Sequence, residues 1–250
     1  VVEVHTSTEG RRASDGSQIW SRKADWSAVA GVGKESVAVM GKLLVKGYDV
    51  VDPASGAVLR HEDDAVGVWT YREAILDVRC RGTRDCTVTA WAPRTGQRLW
   101  QVDIPGVGFV LFADNPKLQV SRALGSSRVG AHADGPLPMP RVLGFPIDHT
   151  VHFVDTAKGR ALLEIKPDRG EQVVAVAGRV LRIKVTASDG VCYSAVDGRD
   201  ARTGAKVWQE SGINLGTTSG PGCEQRRTPS GAGNVIVAVS GEGREVVFDA

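Results

Sequence analysis

The sequence predicts an all-β fold, a β-propeller of four-stranded antiparallel blades, on three observations. A turn glycine followed by an apolar or tryptophan-bearing strand recurs as "SDGSQIW" at Gly16, "PASGAVL" at Gly56, "PRTGQRLW" at Gly96, "TAKGRALL" at Gly159 and "ARTGAKVW" at Gly204. Successive differences between those glycine numbers are 40, 40, 63 and 45 residues, and a period near 40 holding four short strands is the spacing of a propeller blade. Helical periodicity is missing: no stretch carries apolar residues at i, i+3, i+4 and i+7 for three turns, while 30 glycines supply turns for many short strands.

Taken in order, "VVEVHTSTEGRRASDGSQIW" reads as the last strands of a blade whose beginning is missing. The next interval supplies "SVAVM", "LLVKG", "YDVVD" and "AVLRHED" as strands, with "GK" and "PASG" in the turns. From Val66 the pattern is fullest: "VGVWTY", a turn at Arg72 and Glu73, "AILDVRC", the loop "RGTRD", "CTVTAWA", the turn "PRTG" and "QRLWQVDI". Val, Leu and Ile alternate through these segments, with longer apolar runs where a sheet is covered on both faces. The long interval contains 115–140, with four prolines and no strand alternation, which reads as an insertion between strands. At the far end, "NVIVAVSGEGREVVFDA" reads as strands two and three of a further blade, with Asp249 in the place of Asp52 and Asp200. The expectation is one propeller domain over 1–250 with about six blades, four complete and two partial. Either the two ends complete one blade together, or the chain is a piece of a larger ring.

Composition bounds the function. Lys and Arg number 31 and Asp and Glu 29, a formal charge of +2 without charge blocks, so neither nucleic acid nor an anionic membrane is an implied partner. No apolar run approaches the ~18 residues of a membrane helix, and the first twenty residues lack the apolar centre of a signal peptide, so neither feature is expected within this chain. Hydrophobic residues make up 42%, enough for a packed core.

"AWAPRTGQRLW", from Ala90 to Trp100, resembles the tryptophan-docking motif of quinoprotein-like (PQQ-like) β-propellers, with Ala, Asp or Asn, Thr, Gly and Trp at positions one, three, six, seven and eleven. Ala90, Thr95, Gly96 and Trp100 match, and Ala92 replaces the acidic residue. In "GRDARTGAKVW", Asp200, Thr203, Gly204 and Trp208 match and Gly198 replaces the alanine. Weaker copies keep Asp52 and Gly56, Asp155 and Gly159, and Gly16 and Trp20. The resemblance implies blade-docking roles for these glycines and tryptophans: glycine takes the φ > 0 turn, and the indole lies flat on the adjoining blade. A ligand-stacking role for Trp100 or Trp208 is the less frequent use of such aromatics. For a quinone-using dehydrogenase the resemblance further implies adjacent cysteines, a calcium held by Glu, Asn and Asp, a catalytic aspartate and a ring about twice this size. This sequence has no Cys-Cys pair.

Cys80 and Cys86 flank "RGTRD" at the facing ends of two antiparallel strands, which places them within reach of a disulfide. Cys192 and Cys223 are left for each other, and four unpaired structural cysteines are the alternative. Loop-stapling disulfides fit an oxidising, extracytoplasmic compartment. Catalytic patterns are missing. "GVGKES" has Glu35 where a phosphate loop needs Ser or Thr, and neither G-x-S-x-G nor H-E-x-x-H occurs. His149 and His152 alternate to opposite faces of a strand and read as surface or edge residues. "HEDD" at His61–Asp64 and "DGRD" at Asp197–Asp200 read as solvated turns rather than calcium sites.

The expected function is a non-catalytic, extracytoplasmic propeller without cofactor or metal, acting as a protein-binding scaffold or sensor module. The alternative is a small-ligand or quinone-cofactor protein using a central pocket. Partner-reading charge sits on two long connections: Arg122, Arg128, His132 and Arg141 in or beside 115–140, and Glu224, Arg226 and Arg227 within 211–233.

Overall fold

The computed structural model describes residues 7–42, 45–81, 84–107, 136, 138–147, 150–176, 178–188, 191–213, 217–218, 224–225, 230–232, 235–239 and 245–249. The chain divides into two compact units that part between Met139 and Pro140.

The first unit opens with the antiparallel pair β1 (Ser7–Arg11) and β2 (Gln18–Lys23). Two complete meanders follow. One is β3 (Trp26–Ala30), β4 (Val37–Gly41), β5 (Tyr48–Val51) and β6 (Val58–Glu62); the other is β7 (Gly67–Thr70), β8 (Ile75–Arg81), β9 (Arg84–Trp91) and β10 (Arg98–Val107). Each pairs its strands in chain order and antiparallel throughout.

The second unit has the three-stranded sheet β11 (Val142–Ile147), β12 (Thr150–Asp155) and β13 (Arg160–Ile165). The four-stranded sheet β14 (Glu171–Val176), β15 (Arg179–Ser188), β16 (Val191–Asp200) and β17 (Lys206–Ile213) follows. A short pair, β18 (Thr217–Thr218) with β19 (Glu224–Gln225), precedes the sheet β20 (Ser230–Ala232), β21 (Val235–Val239) and β22 (Glu245–Asp249). Among the described residues the only helical element is the 3-10 turn Gly33–Glu35, inside the "GVGKES" phrase. The architecture is all-β, built from propeller-type blades, as the repeat spacing requires.

Burial follows strand position. Val37–Met40 of β4 and Ile75–Val78 of β8 are buried at every residue, because both faces of a middle strand are covered. The outermost strands β2 and β6 are only partly buried, and Ile19, Leu59, Leu99 and Val207 on outermost strands are exposed. One expectation is corrected: the first strand of the second sheet is Trp26–Ala30, whereas the described part of "LLVKG" belongs to the β4–β5 connection. Gly47 there has φ 93°, and its N–H donates to Ala65 rather than to a strand partner.

One hairpin turn recurs. Gly16, Gly56, Gly96 and Gly204 have φ between 67 and 73°, and each N–H donates to the carbonyl four residues earlier, on Arg12, Asp52, Ala92 and Asp200. The acidic residue at position three caps this turn: Asp52 Oδ1 accepts from the N–H groups of Ala54 and Ser55, and Asp200 Oδ1 from those of Arg202 and Thr203. With Ala92 in that place the backbone bonds persist, so the cap is an addition to the turn and not its cause.

The docking residue fits between two glycines. Trp20 lies opposite Gly10 in its own sheet, where an added Cβ would sit 2.1 Å from the indole nitrogen. Its other side meets Gly56 of the next sheet, where an added Cβ would sit 2.5 Å from Cγ. The indole Nε1–H donates to the Pro53 carbonyl at 2.9 Å, and Ala24, Ala38, Met40 and Val51 form the apolar cluster beneath.

Trp20→Ala is expected to lower stability by about 3 kcal/mol and Gly10→Ala by about 2 kcal/mol, the latter by expelling the indole. Because both changes remove one contact, the double variant should match Trp20→Ala alone. Denaturant unfolding of the three variants tests this, and simple additivity would show that Gly10 is not reserved for the indole.

Candidate functional site

The second joint in the first unit repeats the first with a different side chain. In "VVDPASGAVLR" the eleventh position is Arg60, on the outermost strand β6. Its Nη1 donates to the Pro93 carbonyl at 3.0 Å, as Trp20 donates to that of Pro53, and it lies against Gly96 as Trp20 lies against Gly56. A guanidinium thus replaces an indole.

Charge gathers around that replacement. Arg60 Nε bonds Glu62 at 3.0 Å, and the other Glu62 oxygen accepts from Arg79 of β8 at 2.6 Å. Arg79 also bonds Asp77 at 2.9 Å and lies 5.9 Å from the Trp91 ring centroid. Asp77 is fully buried and accepts the Tyr48 hydroxyl from β5 at 3.3 Å. Burial pushes the Asp77 carboxyl above its usual range, outweighing the Arg79 hydrogen bonds that favour its charge. Burial, seconded by the Asp77 and Glu62 charges, pushes the Tyr48 hydroxyl up as well. Arg94 of the docking turn adds a bridge, donating to Asp52 and to the Ser36 carbonyl. Its hydrogen bond, with the Ala54 and Ser55 N–H groups, holds the Asp52 carboxyl low.

In the second unit the bidentate pair Arg182–Glu171 ties β15 to β14 at 2.6 and 2.7 Å. Although burial pushes the Glu171 carboxyl up, the Arg182 bonds and the Asp168 N–H hold it below the usual range. Trp100 and Trp208 lie half-buried on β10 and β17, directly opposite Ala90 and Gly198. A Cβ on Gly198 would stand 2.2 Å from the Trp208 ring, which explains why a small residue occupies position one. Gly159 keeps the positive φ, at 56°.

The cysteine expectation holds for one pair: Cys80 and Cys86 form a disulfide across the β8–β9 hairpin. Cys192 is also disulfide-bonded, while Cys223 lies outside the described residues. Two polar segments are corrected. His152 is buried with Nδ1 3.0 Å from Glu164, not a surface residue, because β12 is the middle strand of its sheet; His149 lies outside the described residues. "DGRD" is the end of β16, where Asp197 pairs with Arg199 and Asp200 caps the turn, not a solvated loop.

Of the candidate partner-reading residues, Arg122, Arg128, His132, Arg226 and Arg227 lie outside the described residues. Arg141 is exposed and accepts the Thr156 N–H on its carbonyl, and Glu224 pairs with Thr218 across β18 and β19. The sequence reading missed an anchor. Arg72 Nε donates to the Pro136 carbonyl at 2.8 Å, and Glu73 accepts the Met139 N–H at 2.8 Å, so the β7–β8 turn holds the returning end of the 115–140 segment. The legible signal was a charged pair, Arg72 and Glu73, in a short turn between two strands. Among the described residues no cluster of three or more His, Cys, Asp or Glu is placed to hold a metal, and no helix is long and apolar enough to cross a membrane.

No protein-family model and no curated protein matches the sequence. Among solved structures, the chain is similar to BamB from Moraxella catarrhalis at 16% identity, covering 94% of this chain and 74% of that one, with a TM-score of 0.37. Hsv2 from Kluyveromyces marxianus gives 11% identity, 93% and 62% coverage and a TM-score of 0.49. The β-propeller domain of the Trilobed protease from Pyrococcus furiosus gives 8% identity, 90% and 84% coverage and 0.40. The class of the chain rests on its own sheets and joints: it is an all-β protein of β-propeller blades.

Two measurements follow from these geometries. Replacing Cys80 and Cys86 together by Ser is expected to cost about 2 kcal/mol through the short closed loop. Non-reducing peptide mapping should find the two joined, and free thiols at both would refute the pairing. Glu171→Gln is expected to cost about 1–2 kcal/mol at neutral pH, as a charge-assisted bidentate bond is weakened. Since the folded-state carboxyl is held low, its contribution is present above the ordinary glutamate range and vanishes as pH falls through the depressed value. Unfolding of variant and parent should therefore converge in strong acid.

Proposed function

We propose that the chain is a non-catalytic, extracytoplasmic β-propeller that binds a protein partner through its long connections, as a scaffold or sensor module. The observation that carries this reading is the use of the repeat residues: Trp20, Arg60, Gly56 and Gly96 are consumed in joining sheets, which leaves the connections to vary. The quinoprotein-like repeats resemble those of binding and assembly propellers, and the chain carries the docking motif without the adjacent cysteines of the quinone enzymes. The Cys80–Cys86 disulfide supports an oxidising compartment. The Arg72 and Glu73 anchor supports 115–140 as a presented segment, since it fixes where that segment rejoins the sheets.

Replacing 115–140 and 211–233 separately by short glycine-containing turns tests the proposal. Each variant is checked by thermal melting and then used to capture partners from an extracellular extract. At least one is expected to fold and lose the parent's captured proteins. If both fold and capture the same set as the parent, the connections are not the platform. Gain of stability on adding a quinone with calcium would instead favour a cofactor-binding propeller.

A further inference from the structure

We propose that the joint between the β3–β6 and β7–β10 sheets is a charge-controlled hinge, loosened by salt and tightened by mild acid, whereas the joint closed by Trp20 responds to neither. The two joints share one geometry and differ in chemistry. At the first, a neutral indole donates to Pro53 over a cluster of Ala24, Ala38, Met40 and Val51. At the second, a cation donates to Pro93 and continues into the relay Arg60, Glu62, Arg79, Asp77 and Tyr48, which crosses from β6 to β8 and back to β5.

The apolar part of this joint, with Ala30, Val50, Val68 and Ile75, stays closed by burial. The charged part opens. Arg79 and Arg94 keep about a third of their side chains in water, so mobile ions reach the pairs they make with Glu62 and Asp52. The Trp20 joint also carries a cation, Arg22, but both it and the indole donate to neutral carbonyls, of Gly56 and Pro53, which offer salt no comparable handle.

Asp77 supplies the response to pH. It is fully buried, and the groups facing it are Tyr48 from β5, Glu62 from β6, Arg79 beside it on β8 and Trp91 from β9. In the closed joint burial raises its carboxyl, whereas in the open joint it meets water and returns to the ordinary range. The closed state therefore binds the proton more tightly. Lowering pH from neutral into the window between the raised and ordinary values favours closure, and raising pH charges Asp77 and favours opening. The β7–β8 turn that anchors Pro136 and Met139 rides on the moving sheet, so the hinge sets the position of that anchor.

Amide hydrogen exchange on the full chain, corrected for intrinsic rates, tests the hinge at low salt and at about 0.5 M salt, near neutral pH and in mild acid. Amides of β6 and β7 are expected to exchange at least about threefold faster in salt and more slowly in acid, with those of β2 and β4 unchanged. Glu62→Gln together with Asp52→Asn removes the carboxylates of both exposed pairs and should abolish the salt response, and Asp77→Asn the pH response. Should the double variant fail to fold, the comparison of the two joints in the unaltered chain requires no variant. Equal salt responses at both joints, or a response surviving loss of both carboxylates, would overturn the proposal.

Discussion

The structure of the first unit depends on one contact: a long side chain at the eleventh position of the repeat, laid over a glycine turn of the following sheet and donating to a carbonyl there. For Trp20 the acceptor is Pro53 and for Arg60 it is Pro93. Sheets that only stacked apolar faces could slide over one another, because apolar burial has no preferred direction. A donor with a fixed reach and an acceptor at one place on the next sheet removes that freedom. The glycine is required by sterics as well as by its positive φ: at Gly56 a Cβ would overlap the indole. The small residue at position one has the same cause, since Gly10 and Gly198 sit directly beneath Trp20 and Trp208.

This constraint separates what was legible in the sequence from what was not. The turn glycines, the meanders and the Cys80–Cys86 pairing were legible because each depends on neighbours close in sequence. The misplaced strand at "LLVKG" shows the limit of pattern: an apolar run resembles a strand even where Gly47 turns the chain, and "WSAVA" is the less continuous signal. Arg60 was not singled out in the sequence, because its docking depends on a carbonyl 33 positions away, which no local pattern displays. Asp77 was hidden for the same reason, since its partners come from two sheets. His152 read as a surface or edge residue because local spacing does not show that its strand lies between β11 and β13.

The candidate site was less legible than the fold. Charges on the long connections were visible as composition, and most of those residues lie outside the described set, so the reading of them rests on the anchor at Arg72 and Glu73. Neither Arg72 nor Glu73 has the positive φ that would call for glycine, and the Tyr71 N–H closes the turn on the Ala74 carbonyl at 2.8 Å, so this turn admits a charged pair that bonds beyond its own hairpin.

The buried charges at the second joint present a cost that packing alone does not explain. A buried ion pair is weak evidence for stability, since desolvation offsets most of the attraction, and a tryptophan at position sixty would have served the apolar contact as Trp20 does. What the relay adds is direction. Two of its bonds, Arg79 to Glu62 at 2.6 Å and Tyr48 to Asp77 at 3.3 Å, cross between the sheets and hold in the closed setting of the joint, while Arg60–Glu62 and Arg79–Asp77 orient the partners along their own strands. The sheet so oriented carries the β7–β8 turn, and that turn holds Pro136 and Met139. Specificity in the joint is thereby passed to the position of that anchor, because a polar network fixes one arrangement where apolar packing would allow several.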